Sequence, residues 1–267
     1  MLQQHKKKIK GINTSWFEIG QGQPIIVLHG WGASSLSWQS TASHLASFGY
    51  CLIVPDLPGF GQSAEPAVAW SLNDYVDWLQ IFIQERDLSD FILLGHSFGG
   101  RLVIKFVGSA GSQADQIKGL VLCGAAGLRD NRWVSCLKRS FFLMLAKLGK
   151  LVLVPFSGLR SFAQKMLYRV AKEHDYEKSS AIMKQILRLA VREDLTDDLP
   201  EITSQTLLVW GAEDKFTPLR DAEKMNKLIK KSLLVVIENS GHDVYRSQID
   251  EFAGVVDCFC QRLSLEA

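Results

Sequence analysis

Residues 91–107 read FILLGHSFGGRLVIKFV, and this stretch decides the fold. The apolar run from Phe91 to Leu94 passes straight into Gly95, His96, Ser97, Phe98 and Gly99, after which Leu102, Val103, Phe106 and Val107 recur at helical spacing. The pattern predicts a buried strand, a sharp turn and an amphipathic helix. A GxSxG match is weak alone, since the composition yields one by chance on the order of once in seven such chains. The flanking strand and helix give it weight. A serine at so tight a turn needs small neighbours, which Gly95 and Gly99 supply. Its hydroxyl then projects at a helix N-terminus, where unpaired amides and the helix dipole favour a developing negative charge.

On both sides of this stretch, short β-branched runs alternate with helical patterns. Further strands are expected at 24–28, 51–54, 119–122, 206–210 and 233–237, with 9–12 and 16–19 as an antiparallel lead-in. This alternation predicts an α/β fold, a mostly parallel sheet with helices on both faces. Leu72, Tyr75, Val76, Leu79, Phe82 and Ile83 form one amphipathic stripe, behind Ser71 and Asp74 in the positions of a capping box. Ile249, Phe252, Val255, Val256, Phe259 and Leu263 form another. From 129 to 200 the patterns are helical without a convincing strand, which reads as a helical insertion. It holds 14 basic against 8 acidic residues, so it carries +6 while the remainder of the chain carries −4. Its most apolar part, 141–156, is interrupted by Lys147, Gly149 and Lys150 and is shorter than a membrane span requires, so no transmembrane segment is expected.

Composition limits the function classes. A chain of 267 residues, 47% hydrophobic and 22% charged, with mean hydropathy +0.05, suits one globular catalytic body of the larger α/β type. A formal net charge of +2 gives no electrostatic case for nucleic acid. The basic run from Lys6 to Lys10 reads as a solvated end. Five cysteines, an odd number without a CxxC pair, argue against both a disulfide framework and a zinc site. No secretory leader is apparent, and a cytoplasmic location is expected.

A serine hydroxyl is a poor nucleophile until a base takes its proton and a carboxylate holds that base in the right tautomer. His242, in NSGHD after the last expected strand, and Asp214, in WGAEDKFTP after the strand ending at Trp210, both fall at the carboxyl ends of strands, where open α/β sheets place their sites. Glu213 and then Asp243 stand as alternatives for the acid. His96 suits packing at the turn, and His29 suits bracing a loop. The glycines of 56–63 lack the lysine and spacing of a phosphate loop. Trp31, Trp38 and Phe60 fit either a pocket lining or the core.

Together HGWG at 29–32, DLPGFGQS at 56–63, GHSFGG at 95–100 and the chain order Ser, Asp, His resemble the α/β-hydrolase family across nearly the whole chain. The resemblance implies an eight-stranded, mostly parallel sheet whose core is made of 1–128 and 201–267, with 129–200 as a helical cap over the pocket. It implies catalytic Ser97, Asp214 and His242, with an oxyanion hole from the backbone N–H groups of Trp31 and Phe98. Cleavage of small to medium carboxylic esters with apolar acyl or aryl groups through an acyl-enzyme is expected, with no metal and no organic cofactor. Family members that dehalogenate or open epoxides use an aspartate where this chain has Ser97. Carbon–carbon bond hydrolases keep the serine but typically show asparagine at the place of His96, and they form the runner-up. A ligand-binding receptor on the same fold is a further alternative.

Overall fold

The computed structural model describes residues 2–109, 116–128 and 180–265. Eight strands form one sheet: β1 (Gln3–Ile9), β2 (Ile12–Gly20), β3 (Gln23–Leu28), β4 (Tyr50–Pro55), β5 (Phe91–His96), β6 (Ile117–Cys123), β7 (Thr206–Gly211) and β8 (Ser232–Ile237). Their spatial order is β1-β2-β4-β3-β5-β6-β7-β8; β1 and β2 run antiparallel to their neighbours, and the rest are parallel. The expected α/β fold with a mostly parallel eight-stranded sheet is therefore present.

The middles of the central strands are continuous apolar runs, at 25–28, 91–94, 120–122 and 207–210, because both faces are covered. Side chains alternate between two clusters with the period of the pleat. Ile26, Leu28, Leu93, Leu122, Leu208 and Trp210 face one cluster. It also takes in α2 (Leu72–Gln84), α3 (Phe98–Ser109), α4 (Ala181–Arg192) and α5 (Leu219–Leu228). Ile25, Val27, Leu94, Val121, Leu207 and Val209 face the other cluster. There they meet α1 (Gln39–Ser47), the short α6 (Val244–Ser247) and α7 (Ile249–Leu265).

Two expectations are corrected. The span 9–12 is a turn rather than a strand: Ile9 pairs with Ile12, and Lys10 and Gly11 between them have φ of 45° and 81°. A two-residue turn with both φ positive matches the twist of a hairpin, so β1 begins earlier and runs up to it. Consequently Lys6, Lys7 and Lys8 sit along an edge strand instead of a loose end, where lysines discourage strand-to-strand aggregation. Lys10 meets Asp77 at 2.8 Å.

Most of the expected insertion, 129–179 with its apolar run 141–156, lies outside the described residues. From Ser180 onward the chain packs on the core. Ser180 Oγ accepts from Met183 N at 3.1 Å and caps α4, whose Met183, Ile186 and Ala190 join the cluster holding Phe60, Phe98 and Leu102. Buried Arg101, on α3, donates through Nη1 to the carbonyls of Ala190 and Glu193, both at 2.7 Å, and so ties the end of α4 to the helix that begins after Ser97. Among the described residues no helix is long and apolar enough to cross a membrane.

Candidate active site

The carboxyl ends of the parallel strands lie at one end of the sheet, and the site is built from the residues that follow them. From β5, the chain turns at Ser97 with φ of 52°, a left-handed conformation that side-chain-bearing residues avoid unless the surroundings impose it. Here Ser97 N donates to Cys123 O at 3.1 Å, while Ser97 O accepts from Arg101 N and Ala126 N at 3.1 and 3.0 Å. A Cβ at position 99 would collide with the Leu28 carbonyl oxygen, so only glycine lets α3 start so close to β3. The Ser97 hydroxyl is half-buried at the N-terminus of α3.

From β7, the turn after Gly211 points Asp214 inward and leaves Glu213 exposed. Asp214 Oδ1 accepts from the amides of Phe216 and Thr217 at 2.8 and 3.0 Å, a local loop closure characteristic of aspartate. Asp214 Oδ2 lies 2.8 Å from His242 Nδ1, which the loop after β8 brings across. Burial pushes the Asp214 carboxyl up, but hydrogen bonding and charge from His242, together with the Thr217 hydroxyl and amide, outweigh it and hold it below the usual carboxylate range. Asp243 pairs instead with Arg246 at 3.0 Å. Phe216, exposed, lies against the His242 ring with centroids 5.1 Å apart.

His96 links the serine turn to the histidine loop. Its Nε2–H donates to the His242 carbonyl at 3.0 Å, and its ring packs 4.8 Å from both His242 and Tyr245. Burial, with the charge of His242, pushes its pKa down to about 3, so it is neutral and unsuited to proton transfer near neutrality. His29 is buried as well. Leu57 N–H donates to its Nε2 at 3.0 Å, which puts the ring proton on Nδ1, and that donates to Gly30 O at 2.8 Å. Burial holds His29 below its ordinary pKa, with Gly30 and Asp56 opposing only in part. Asp56 accepts from Ser35 N and Gln62 N at 2.6 and 2.8 Å, so the 56–63 loop braces the 29–38 loop rather than cradling a phosphate.

On that braced loop, Trp31 packs edge-on against Phe98 at 5.2 Å and Phe60 at 4.9 Å, which settles Trp31 and Phe60 beside the serine turn. Trp38 belongs to the core, fully buried and stacked on Tyr245 at 3.9 Å. The backbone amides of Trp31 and Phe98 donate to no acceptor among the described residues. Nor does any hydrogen bond among them join Ser97 Oγ to His242; such contacts are often long before substrate binds. A cavity of about 560 Å³ lies beside this loop, lined by Trp31, Ser34, Ser37, Asp243, Tyr245 and Arg246, with none of Ser97, Asp214 or His242 in its wall. Another, of about 380 Å³, is lined by Thr206 and Ser232 at the opposite, amino ends of β7 and β8, and is remote from this chemistry. Among the described residues no cluster of three or more His, Cys, Asp or Glu is placed to hold a metal ion.

The sequence singled out Ser97, Asp214 and His242, and the structure brings Asp214 and His242 into contact at the end of the sheet where Ser97 stands. Thr217 was missed. Its signal is local: an Asp followed three residues later by a Thr and then Pro218 reads as a side-chain-closed turn.

The profile of the alpha/beta hydrolase family matches residues 25–255. The chain belongs to that family. Within the α/β hydrolases it is similar to 2-hydroxy-6-oxo-2,4-heptadienoate hydrolase of Pseudomonas putida, 27% identical, with 93% of each chain covered. It is also similar to pimeloyl-[acyl-carrier protein] methyl ester esterase of Vibrio parahaemolyticus, 25% identical over 93% of this chain and 98% of that one. Among solved structures, an esterase from Exiguobacterium antarcticum superposes with a TM-score of 0.74 at 26% identity, covering 96% of this chain and 98% of that chain.

Proposed function

We propose that this α/β hydrolase cleaves small to medium carboxylic esters through an acyl-enzyme on Ser97. The observation that carries the reading is a serine held at positive φ on a strand–turn–helix, at the end of the sheet where a buried carboxylate grips a histidine at 2.8 Å. In this reading His242 takes the Ser97 proton through Nε2 as the hydroxyl attacks the ester carbonyl, then returns it to the leaving alcohol. Asp214 fixes the Nδ1–H tautomer and steadies the imidazolium. The tetrahedral oxyanion is received by the amides of Phe98 and Trp31, neither of which has an acceptor among the described residues. Water repeats the sequence on the acyl-enzyme. The named esterase relatives support ester cleavage.

Ser97→Ala tests this directly. Turnover of p-nitrophenyl butyrate should fall at least about 10³-fold and labelling by a fluorophosphonate should vanish, with an unchanged unfolding midpoint. Retention of more than a few per cent of wild-type kcat in a folded variant would remove Ser97 from the role. The relative from Pseudomonas putida favours a second reading, carbon–carbon bond hydrolysis of a vinylogous diketone. Turnover of such a diketone well above that of simple esters would move the assignment there.

A further inference from the structure

The Thr217 hydroxyl has more acceptors than protons. Its oxygen lies 2.8 Å from Asp214 Oδ2, 3.0 Å from the Gly124 carbonyl oxygen and 3.3 Å from His242 Nδ1, and the side chain is buried. The carboxylate and the carbonyl only accept, and a hydroxyl has one hydrogen to give. It therefore serves one of them at a time. The Gly124 carbonyl receives no other hydrogen bond among the described residues. Asp214 Oδ1 is occupied by two amides, so Oδ2 is the oxygen that His242 and Thr217 must share.

This crowding is built into the backbone. Gly124 follows β6 with φ of 49°, and a Cβ there would sit 3.3 Å from both Asp214 Oδ2 and His242 Nδ1. The loop after β6, which has no carboxylate of its own, thus delivers a carbonyl acceptor to the acid of the site.

We propose that Thr217 is a positioning residue whose hydroxyl exchanges between Asp214 Oδ2 and the Gly124 carbonyl, releasing Oδ2 to His242 as that ring gains its second proton. The proposal rests on the reading of Ser97, His242 and Asp214 as nucleophile, base and acid. While His242 is neutral, the hydroxyl on Oδ2 spreads the carboxylate charge over one more donor. Once the imidazolium forms, its N–H competes for the same oxygen with a full charge, and the hydroxyl has a second acceptor within reach. No bond other than hydrogen bonds is made or broken. Without Gly124 as an alternative the hydroxyl would stay on Oδ2 and weaken the grip on the imidazolium.

The test is the acid limb of kcat/KM against pH. Thr217→Val keeps the shape and deletes the hydroxyl; the limb should move to higher pH by about half a unit or more, because the neutral state loses the donor that eases the charge on Oδ2, while the imidazolium has that oxygen to itself as before. Thr217→Ser should restore the wild-type limb. Thr217→Ala, which adds no second methyl, should shift the limb in the same direction and replaces the valine variant if that fails to fold. The other groups facing the ring or its carboxylate are His96 from β5, Cys123 from β6, and Asp243 with its partner Arg246 from the loop before α6 and from α6. All are unchanged in these variants. A limb that stays put in both hydroxyl-free variants overturns the proposal, and so does a serine variant displaced as far as the valine one. If Ser97→Ala is inactive and the limb does not move, only Thr217 loses its role. If Ser97→Ala stays active, the reading of the site falls and the proposal falls with it.

Discussion

Glu213 and Asp214 are neighbours on the turn after β7, and that turn sends one carboxylate to solvent and the other against His242 at 2.8 Å. Asp214→Asn should therefore lower kcat by about 10³ to 10⁴, because an amide presented to Nδ1 stabilises the wrong tautomer and carries no charge for the imidazolium. Glu213→Gln should leave kcat within about twofold, since a solvated carboxylate is screened from the ring. Steady-state rates on one ester decide it, and a reversed pair of results would transfer the acid to Glu213. At this scale Ser97 was legible because its neighbours announce a strand, a turn and a helix. The choice between Glu213 and Asp214 was not, because it depends on which of two adjacent side chains the turn points inward. The turn that holds Thr217 is local and readable, but its link to the acid was not, because its second partner Gly124 is 93 residues away in the chain.

Helix α2 shows how far local chemistry carries at the scale of one element. Ser71 Oγ accepts from Asp74 N at 3.3 Å while Asp74 Oδ2 accepts from Ser71 N at 2.9 Å, the reciprocal cap expected from the sequence, and the helix buries Tyr75, Trp78, Leu79 and Phe82 behind it. Ser71→Ala removes one half of that cap and should cost about 1 kcal/mol, read as a lower urea midpoint at unchanged slope. Activity should be untouched, because α2 supplies no group to the site; an unchanged midpoint would show that the cap contributes nothing. Capping boxes and dense apolar stripes are readable because they are local. Helix α5 was not read: it buries only Ala222 and Met225, too few to make a stripe. The β1–β2 turn was misplaced because Lys10–Gly11 has the glycine of the usual hairpin pair but not its asparagine.

Over the whole molecule, the convergence of six strand ends buries two histidines in the neutral form, and folding stability must respond to pH. His96, pushed down to about 3, and His29, also held below its usual value, refuse protons that the unfolded chain accepts below about 6.5. In the window between those limits the unfolded state binds more protons, so stability rises with pH and is lost as pH falls. His96 alone should remove about 2 kcal/mol between pH 7 and pH 5, and His29 adds to that loss with the same sign. Asp214, whose carboxyl is held low, acts with the same sign at still lower pH, where protonating it releases His242. Urea midpoints at pH 7, 6 and 5 should therefore decline steadily. The His96→Gln variant keeps a donor for the His242 carbonyl but cannot titrate, so its decline should be shallower than that of the wild type. A wild-type midpoint constant from pH 7 to pH 5 would mean that both rings accept their protons in the folded state, and the packing of His96 between the serine turn, the histidine loop and the glycine-rich loop at Gly30 would have to be looser than the contacts described.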